Sequence, residues 1–144
     1  YIIVDYCHTP DGLERILLSI NELLVDARTH VVFGCGGDRD RTKRAQMGMI
    51  SATHATNVYL TSDNPRSEDP MGIINDILAG IGDTESVYVN PDRREAIFHA
   101  VNSADEGDVV LIAGKGCEPY QEISGTQFPF LDSDVGREAL EASR

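Results

Sequence analysis

The sequence predicts an α/β fold: a mostly parallel, doubly wound sheet in a single domain, with a hairpin or irregular loop near the C-terminus. Two observations carry this. Short apolar runs alternate with amphipathic stretches long enough for helices, the pattern of successive βαβ units. Three of those stretches also open with a capping residue followed by proline, which marks a helix start. With 144 residues the chain has the size of one domain, enough to bury a substantial core.

The elements follow in order. "YIIVDY" reads as a buried strand. "TPDGLERILLSINELLVDA" places Leu13, Ile16, Leu17, Ile20, Leu23 and Leu24 on one helical face. Thr9 is its expected cap, and Pro10 suits the first helical position because its missing N–H costs nothing there. "HVVFG" is the second strand, with His30 just before it, and a helix is expected from about Thr42 to Thr53. "NVYLT" is the third strand. The third helix starts with Asp69 as cap and Pro70 next, and turns Ile73, Ile74, Ile77, Leu78 and Ile81 inward. "SVYVN" is the fourth strand; Asn90 and Pro91 are expected to open the fourth helix. "DVVLIAG" is the fifth strand. "EPYQEISGTQFPFLD" has Ser-Gly between two alternating runs, a hairpin signal. A closing helix is expected from Ser133 or Asp134 as cap.

Composition narrows the function. A formal net charge of −12 argues against sequence-independent binding to nucleic acid or anionic membrane, which need a cationic face. A local basic cluster does exist at Arg39, Arg41, Lys43 and Arg44. No apolar run approaches membrane-spanning length and no signal-peptide architecture is present. Cysteines at 7, 35 and 117 form no paired framework, which fits a reducing cytoplasm. The chain opens inside an apolar run, as expected of a piece of a longer protein.

Right-handed crossovers place the C-terminal ends of all five strands along one edge, where open α/β sheets bind ligands. The first strand is followed by Asp5, Tyr6, Cys7 and His8, the second by "GCGGDRD", the third by "TSDNPR", the fourth by "NPDR" and the fifth by "GKGCE". Each has an ordinary explanation. Asp-Asn-Pro is a turn signal anywhere. "GCGGDRD" puts Arg39 where a dinucleotide fingerprint has its third glycine, and "GKG" lacks the spacing of a P-loop. Cys7, His8, Cys35 and Cys117 lack the pairwise spacing of a zinc site, and no metal site is expected. No G-x-S-x-G elbow is present, and a Cys/His pair has no orienting third group, so no catalytic residue is assigned. His30, His54 and His99 read as ordinary core or surface residues. The convergence of the segments carries more weight than any one of them.

Taken together, "VDYCHTPDGL", "FGCGGDRDRTKRAQMG", "TSDNPRSEDP" and "IAGKGCEPYQ" resemble the C-terminal domain of the Mur ligases, and within them the MurE type, the UDP-N-acetylmuramoyl-tripeptide synthetases. The resemblance runs from residue 1 to about residue 132 and implies a Rossmann-like sheet. It implies an ATP-dependent ligase of the bacterial cytoplasm that phosphorylates the D-glutamate carboxylate of UDP-N-acetylmuramoyl-L-alanyl-D-glutamate and joins meso-diaminopimelate to it. The P-loop, the Mg2+ ligands and most of the nucleotide-sugar site would belong to two preceding domains outside this chain. Residues 1–144 would bind the amino acid and close over ATP without catalysing ligation alone.

By the same resemblance, Arg66 of the DNPR tetrapeptide would clamp the distal carboxylate that distinguishes diaminopimelate from lysine, a task suited to a planar guanidinium. Glu118 and the Gly114 carbonyl would accept from the distal ammonium, Asp63 and Asn64 would complete that end, and Pro65 would stiffen the turn. Arg39 matches a further substrate-carboxylate contact. Asp5 and His8 match positions that face the nucleotide on closure. For Lys115, a phosphate contact and a solvated loop lysine both stay open; Lys43 and Arg44 read as surface or helix-start residues. The sequence departs from the family at Cys117, where histidine is common, and at Cys7, where alanine is. A monomer is expected. The alternatives are a Mur-family domain for another amino acid, such as lysine or lanthionine, and a non-catalytic ligand-binding module of the same fold.

Overall fold

Five strands form one sheet in the order β1 (Ile2–Asp5), β5 (Val109–Ala113), β2 (Thr29–Phe33), β3 (Asn57–Leu60), β4 (Val87–Val89), and every pairing is parallel. The computed structural model describes residues 1–82 and 85–144. Between the strands run α1 (Pro10–Leu23), α2 (Thr42–His54), α3 (Pro70–Leu78) and α4 (Arg93–Ser103). A hairpin, β6 (Tyr120–Ile123) and β7 (Thr126–Pro129), precedes α5 (Asp132–Ala142). Ser124 and Gly125 connect the hairpin with φ of 50° and 80°, the double positive φ of a tight two-residue turn.

Strand alternation divides the core into two layers, because successive side chains point to opposite faces. Val31, Phe33, Val58, Leu60, Val109 and Leu111 pack with Leu13 and Leu17 of α1, Met47 of α2 and Ile73, Ile74 and Ile77 of α3. On the other face, Val32, Tyr59, Val110 and Ile112 pack with Ala96, Ile97 and Ala100 of α4 and Val135 and Ala139 of α5. β2 and β5 are covered on both sides and wholly buried, which is why they read as unbroken apolar runs.

The caps at Thr9 and Asp69 form as expected, accepting from the backbone N–H of Gly12 and Met71. Four expectations need correction. β1 is only half-buried because it lies at the sheet edge. Leu23 is exposed, since α1 ends there and its last turn overruns the sheet. The fourth helix is capped by Asp92, whose carboxylate accepts from Glu95 N; Asn90 instead accepts from Asp92 N and turns the chain into that cap. α5 begins at Asp132 with no side-chain cap at Leu131, because the Asp132 carboxylate is drawn inward to Arg93.

That last pair joins α4 and α5, which share one layer, to the strand ends. Arg93 and Asp132 are fully buried, with Nε to Oδ1 at 2.8 Å and Nη2 to Oδ2 at 2.7 Å. The same guanidinium donates to the carbonyls of Ser62 and Ala113 at 3.0 and 3.1 Å. At the opposite end of the sheet, His30 sits within β2, shares a hydrogen bond with Tyr59 Oη at 3.0 Å, and faces Asp108 at 3.3 Å. Arg28 and its neighbours hold Asp108 in place.

Removing one partner of a buried ion pair strands the other charge, at a cost of about 3–5 kcal/mol. Asp132→Ala is therefore expected to lower unfolding free energy by about that amount in urea titrations. Glu138→Ala, which removes from α5 an exposed partner of Arg94 in α4, is expected to change it by less than about 1 kcal/mol.

Candidate functional site

Because β5 lies between β1 and β2, and β2 pairs with β3, the segments after these four strands leave the sheet side by side. They enclose a cleft of about 490 Å³ whose lining includes His8, Arg39, Lys43, Asp63, Asn64, Arg66, Gly114 and Glu118. Seven of the nine residues singled out from the sequence thus meet in one place: Arg39, Asp63, Asn64, Arg66, Gly114, Glu118 and His8. Pro65 and Asp5 stand behind the cleft rather than in its lining. Pro65 is buried against the glycine-rich turn, where a Cβ on Gly37 would fall 1.9 Å from its carbonyl oxygen. The Asp5 carboxylate accepts from Cys7 N at 2.7 Å, and its carbonyl accepts from Gly114 N at 3.0 Å.

Arg66 is held from three sides. Its Nε donates to Glu122 Oε2 at 3.2 Å and its Nη1 to Gly37 O at 2.9 Å. Its backbone joins the hairpin, donating to Glu122 O and accepting from Ser124 N. This bridge keeps Arg66 at a φ of 50°, a left-handed conformation that non-glycine residues avoid unless the surroundings impose it. Among the described residues its Nη2 makes no bond.

The acids line the same cleft. Asp63 is about nine-tenths buried and its carboxylate has no protein partner among the described residues, although its carbonyl accepts from Gln121 Nε2 at 2.9 Å. Its Oδ2 lies 2.7 Å from the place a Cβ on Gly114 would take, so only glycine leaves the carboxylate room. Glu118 Oε1 accepts from Asn64 Nδ2 and from Lys115 Nζ, both at 2.6 Å. Burial works to raise the Glu118 carboxyl, but those two bonds outweigh it and hold it below its usual range.

The rim is cationic. Lys43, at the start of α2 as expected, donates to His8 O at 2.7 Å. Arg39 is exposed and bonds its neighbour Asp38 O at 3.0 Å. His8 shares a hydrogen bond with Tyr6 O at 2.9 Å and meets the Tyr6 ring edge-on.

Two residues differ from expectation. Arg44 stands at the start of α2 as expected, yet it is not a surface residue: it is 1% exposed and bonded to Glu68, Asp76 and Gly36 O. It anchors the glycine-rich turn to the loop that carries Arg66. Lys115 is neither solvated nor free for a phosphate: it is 1% exposed and its Nζ is bound within the protein. Sequence reasoning also missed Glu122, which lies in the hairpin's alternating pattern with nothing to distinguish it from a solvent-facing strand residue.

Two of the three thiols are held protonated by their surroundings. Burial, reinforced by Asp5, pushes the Cys7 thiol up to about 12, and burial does the same to Cys35. Cys35 Sγ packs 3.8 Å from Met47 Sδ, while Cys117 is exposed. No three His, Cys, Asp or Glu residues cluster to hold a metal among the described residues. No helix among the described residues is long and apolar enough to cross a membrane.

Comparison with known proteins places these features in a family. The family model described as "Mur ligase, glutamate ligase domain" matches residues 1–116. The UDP-N-acetylmuramoyl-L-alanyl-D-glutamate–2,6-diaminopimelate ligase of Chromobacterium violaceum is 53% identical over 142 residues, covering 98% of this chain and 29% of that protein. The ligase of the same name from Listeria innocua is 51% identical over 140 residues, covering 97% of this chain and 28% of that protein. A solved structure of a 2,6-diaminopimelate ligase superposes with a TM-score of 0.92 at 45% identity, over 98% of this chain and 29% of that one. The chain therefore spans less than a third of the length of these relatives.

The Arg44–Glu68 contact is itself acid-sensitive. The bond from Arg44 lowers the Glu68 carboxyl from its ordinary 4.5 to about 2. Its contribution to stability is complete above about pH 4.5 and is lost as pH falls toward 2. Glu68→Gln is expected to flatten the acid limb of a stability–pH curve in that window, leaving the slope above pH 5 (~) unchanged.

Proposed function

Because the chain belongs to the Mur ligases, through their glutamate ligase domain, we propose that residues 1–144 form the C-terminal, amino-acid-binding domain of an ATP-dependent acid–amino-acid ligase. In this reading the whole enzyme adds meso-diaminopimelate to UDP-N-acetylmuramoyl-L-alanyl-D-glutamate during peptidoglycan synthesis. The UDP-sugar-binding and ATP-binding domains precede this chain, and ATP and Mg2+ are held mainly by the latter. ATP supplies an acyl phosphate that the amine of the incoming amino acid displaces. This domain holds that amino acid and covers the nucleotide, His8 and Asp5 lying on the nucleotide side. The enzyme works as a cytoplasmic monomer without nucleic acid or membrane partners, consistent with a net charge of −12.

A single observation carries the substrate assignment: a guanidinium from the loop after β3 and acids from the loops after β3 and β5 line one cleft. Such a site complements a carbon bearing both a carboxylate and an ammonium, which is the distal end of diaminopimelate. The distal carboxylate is assigned to Arg66, and the ammonium to Asp63, Asn64, Glu118 and the Gly114 carbonyl. Arg39 takes a further carboxylate of the substrate, and Pro65 fixes the turn that aims Arg66.

Arg66 does not offer an empty clamp. Nη2 is open, but Nε is held by Glu122, so a carboxylate that takes the Nε–Nη2 edge displaces the Glu122 contact as it binds. The net gain is the difference between the two charge-assisted interactions. The same groups accommodate other diamino diacids such as lanthionine; lysine lacks the group that Arg66 reads.

Arg66→Ala in the parent ligase is expected to erase most of the preference for meso-diaminopimelate over L-lysine, by about tenfold or more in the ratio of kcat/KM values. ATP-dependent phosphate release with each amino acid measures it. An unchanged ratio removes Arg66 as the selector.

A further inference from the structure

Lys115 lies at the centre of this cluster without lining the cleft. Gly114 and Gly116, at φ of 110° and 55°, fold the loop on either side of it. A Cβ on Gly116 would come within 2.9 Å of Tyr6 Cβ, so the loop packs down on β1's exit and Lys115 is driven inward. A buried ammonium is costly unless its hydrogens are answered. Here Nζ donates to Asn64 Oδ1 at 2.8 Å and to Glu118 Oε1 at 2.6 Å, and it lies 5.7 Å from the centroid of the Tyr120 ring.

These contacts orient two groups of the proposed ammonium site. Asn64 Oδ1 accepts from Lys115 Nζ and from Glu122 N at 2.9 Å, so the amide's other end, Nδ2, must face Glu118. Glu118 Oε1 is saturated by Lys115 and Asn64, whereas Oε2 has no protein partner among the described residues. The carboxylate is thus divided into an anchored oxygen and an open one. Its neighbour Asp63 carries the other unengaged carboxylate.

We propose that Lys115 is a positioning residue for the ligand's distal ammonium: it does not touch the amino acid but fixes Glu118 and Asn64 so that Glu118 Oε2 is presented to that group. The inference rests on the amino-acid site described above. It differs from a phosphate-contacting role, because the lysine's bonds all run to the amino-acid side. It also differs from a purely structural role, because its effect depends on which end of the ligand is read.

The test uses the parent ligase and three amino acids: meso-diaminopimelate, L-lysine, and L-2-aminopimelate, which keeps the distal carboxylate and lacks the distal ammonium. With Lys115→Met, KM for diaminopimelate and for lysine is expected to rise together, by about tenfold or more, leaving their ratio unchanged. KM for 2-aminopimelate is expected to move less than about twofold, and the loss falls on KM for the amino acid more than on kcat. Lys115→Arg restores part of the affinity by restoring the charge. An equal rise for all three amino acids, a rise confined to KM for ATP, or a lowered Tm with unchanged KM for diaminopimelate would each overturn the proposal.

If Lys115→Met does not fold, the native enzyme still decides. The Lys115 Nζ proton–nitrogen resonance is expected to shift on addition of diaminopimelate and not of 2-aminopimelate; a resonance unmoved by diaminopimelate overturns the proposal. Failure of the underlying site is separately visible: wild-type enzyme then shows no preference for diaminopimelate over lysine, or Arg66→Ala leaves that preference intact.

Discussion

The buried pair of Arg93 and Asp132 is the constraint on which the rest of the molecule hangs. Its guanidinium holds the carbonyls of Ser62 and Ala113, the residues just before Asp63 and Gly114. The two loops that carry the proposed ammonium site are therefore fixed by one side chain from α4, itself fixed by the first residue of α5. Such a pair adds little net stability, because desolvation of both ions offsets their attraction. Its consequence is positional. Two strand ends, whose loops are also joined by the bonds of Asn64 to Glu118 and Lys115, are tied to a common point within the core.

Outward from that point, each layer transfers order to the next. Gly37 packs on Pro65, and Arg44 joins the glycine-rich turn to Glu68, so the loops after β2 and β3 behave as one piece. The hairpin then reaches back through Glu122 and the backbone of Ser124 to hold Arg66 in a left-handed conformation. Strain at Arg66 is offset by contacts on three sides. That arrangement aims a long, flexible side chain whose rotamer freedom would otherwise weaken any clamp.

The cleft's charges are arranged by commitment rather than by number. Lys115, Arg44 and Arg93 are buried and already answered by acids. What remains open is a small set: Arg66 Nη2, the Asp63 carboxylate and Glu118 Oε2, with Arg39 and Lys43 at the rim. A chain with a large excess of acid thus presents a local surface of mixed sign, suited to a zwitterion and poorly suited to a polyanion.

The sequence by itself determined the order of strands and helices, the hairpin and the caps at Thr9 and Asp69, because these depend on local periodicity and on backbone groups a few residues away. It also determined which strand ends would carry functional groups, since parallel βαβ winding sends all of them to one edge. Only the tertiary structure decided which acids are free. Asn90 and Ser133 looked like caps until the inward pull on Asp132 and the turn at Asn90 moved the helix starts. Arg44 reads as a surface or helix-start residue and Lys115 as a phosphate contact or a solvated lysine, because nothing local distinguishes a buried charge from a solvated one. Of their partners, Glu68 and Asn64 come from the loop after β3 and Asp76 from α3, whereas Glu118 follows Lys115 closely in sequence. Burial of charge is settled by groups brought together from distant parts of the chain, and hydrophobic periodicity carries no record of them.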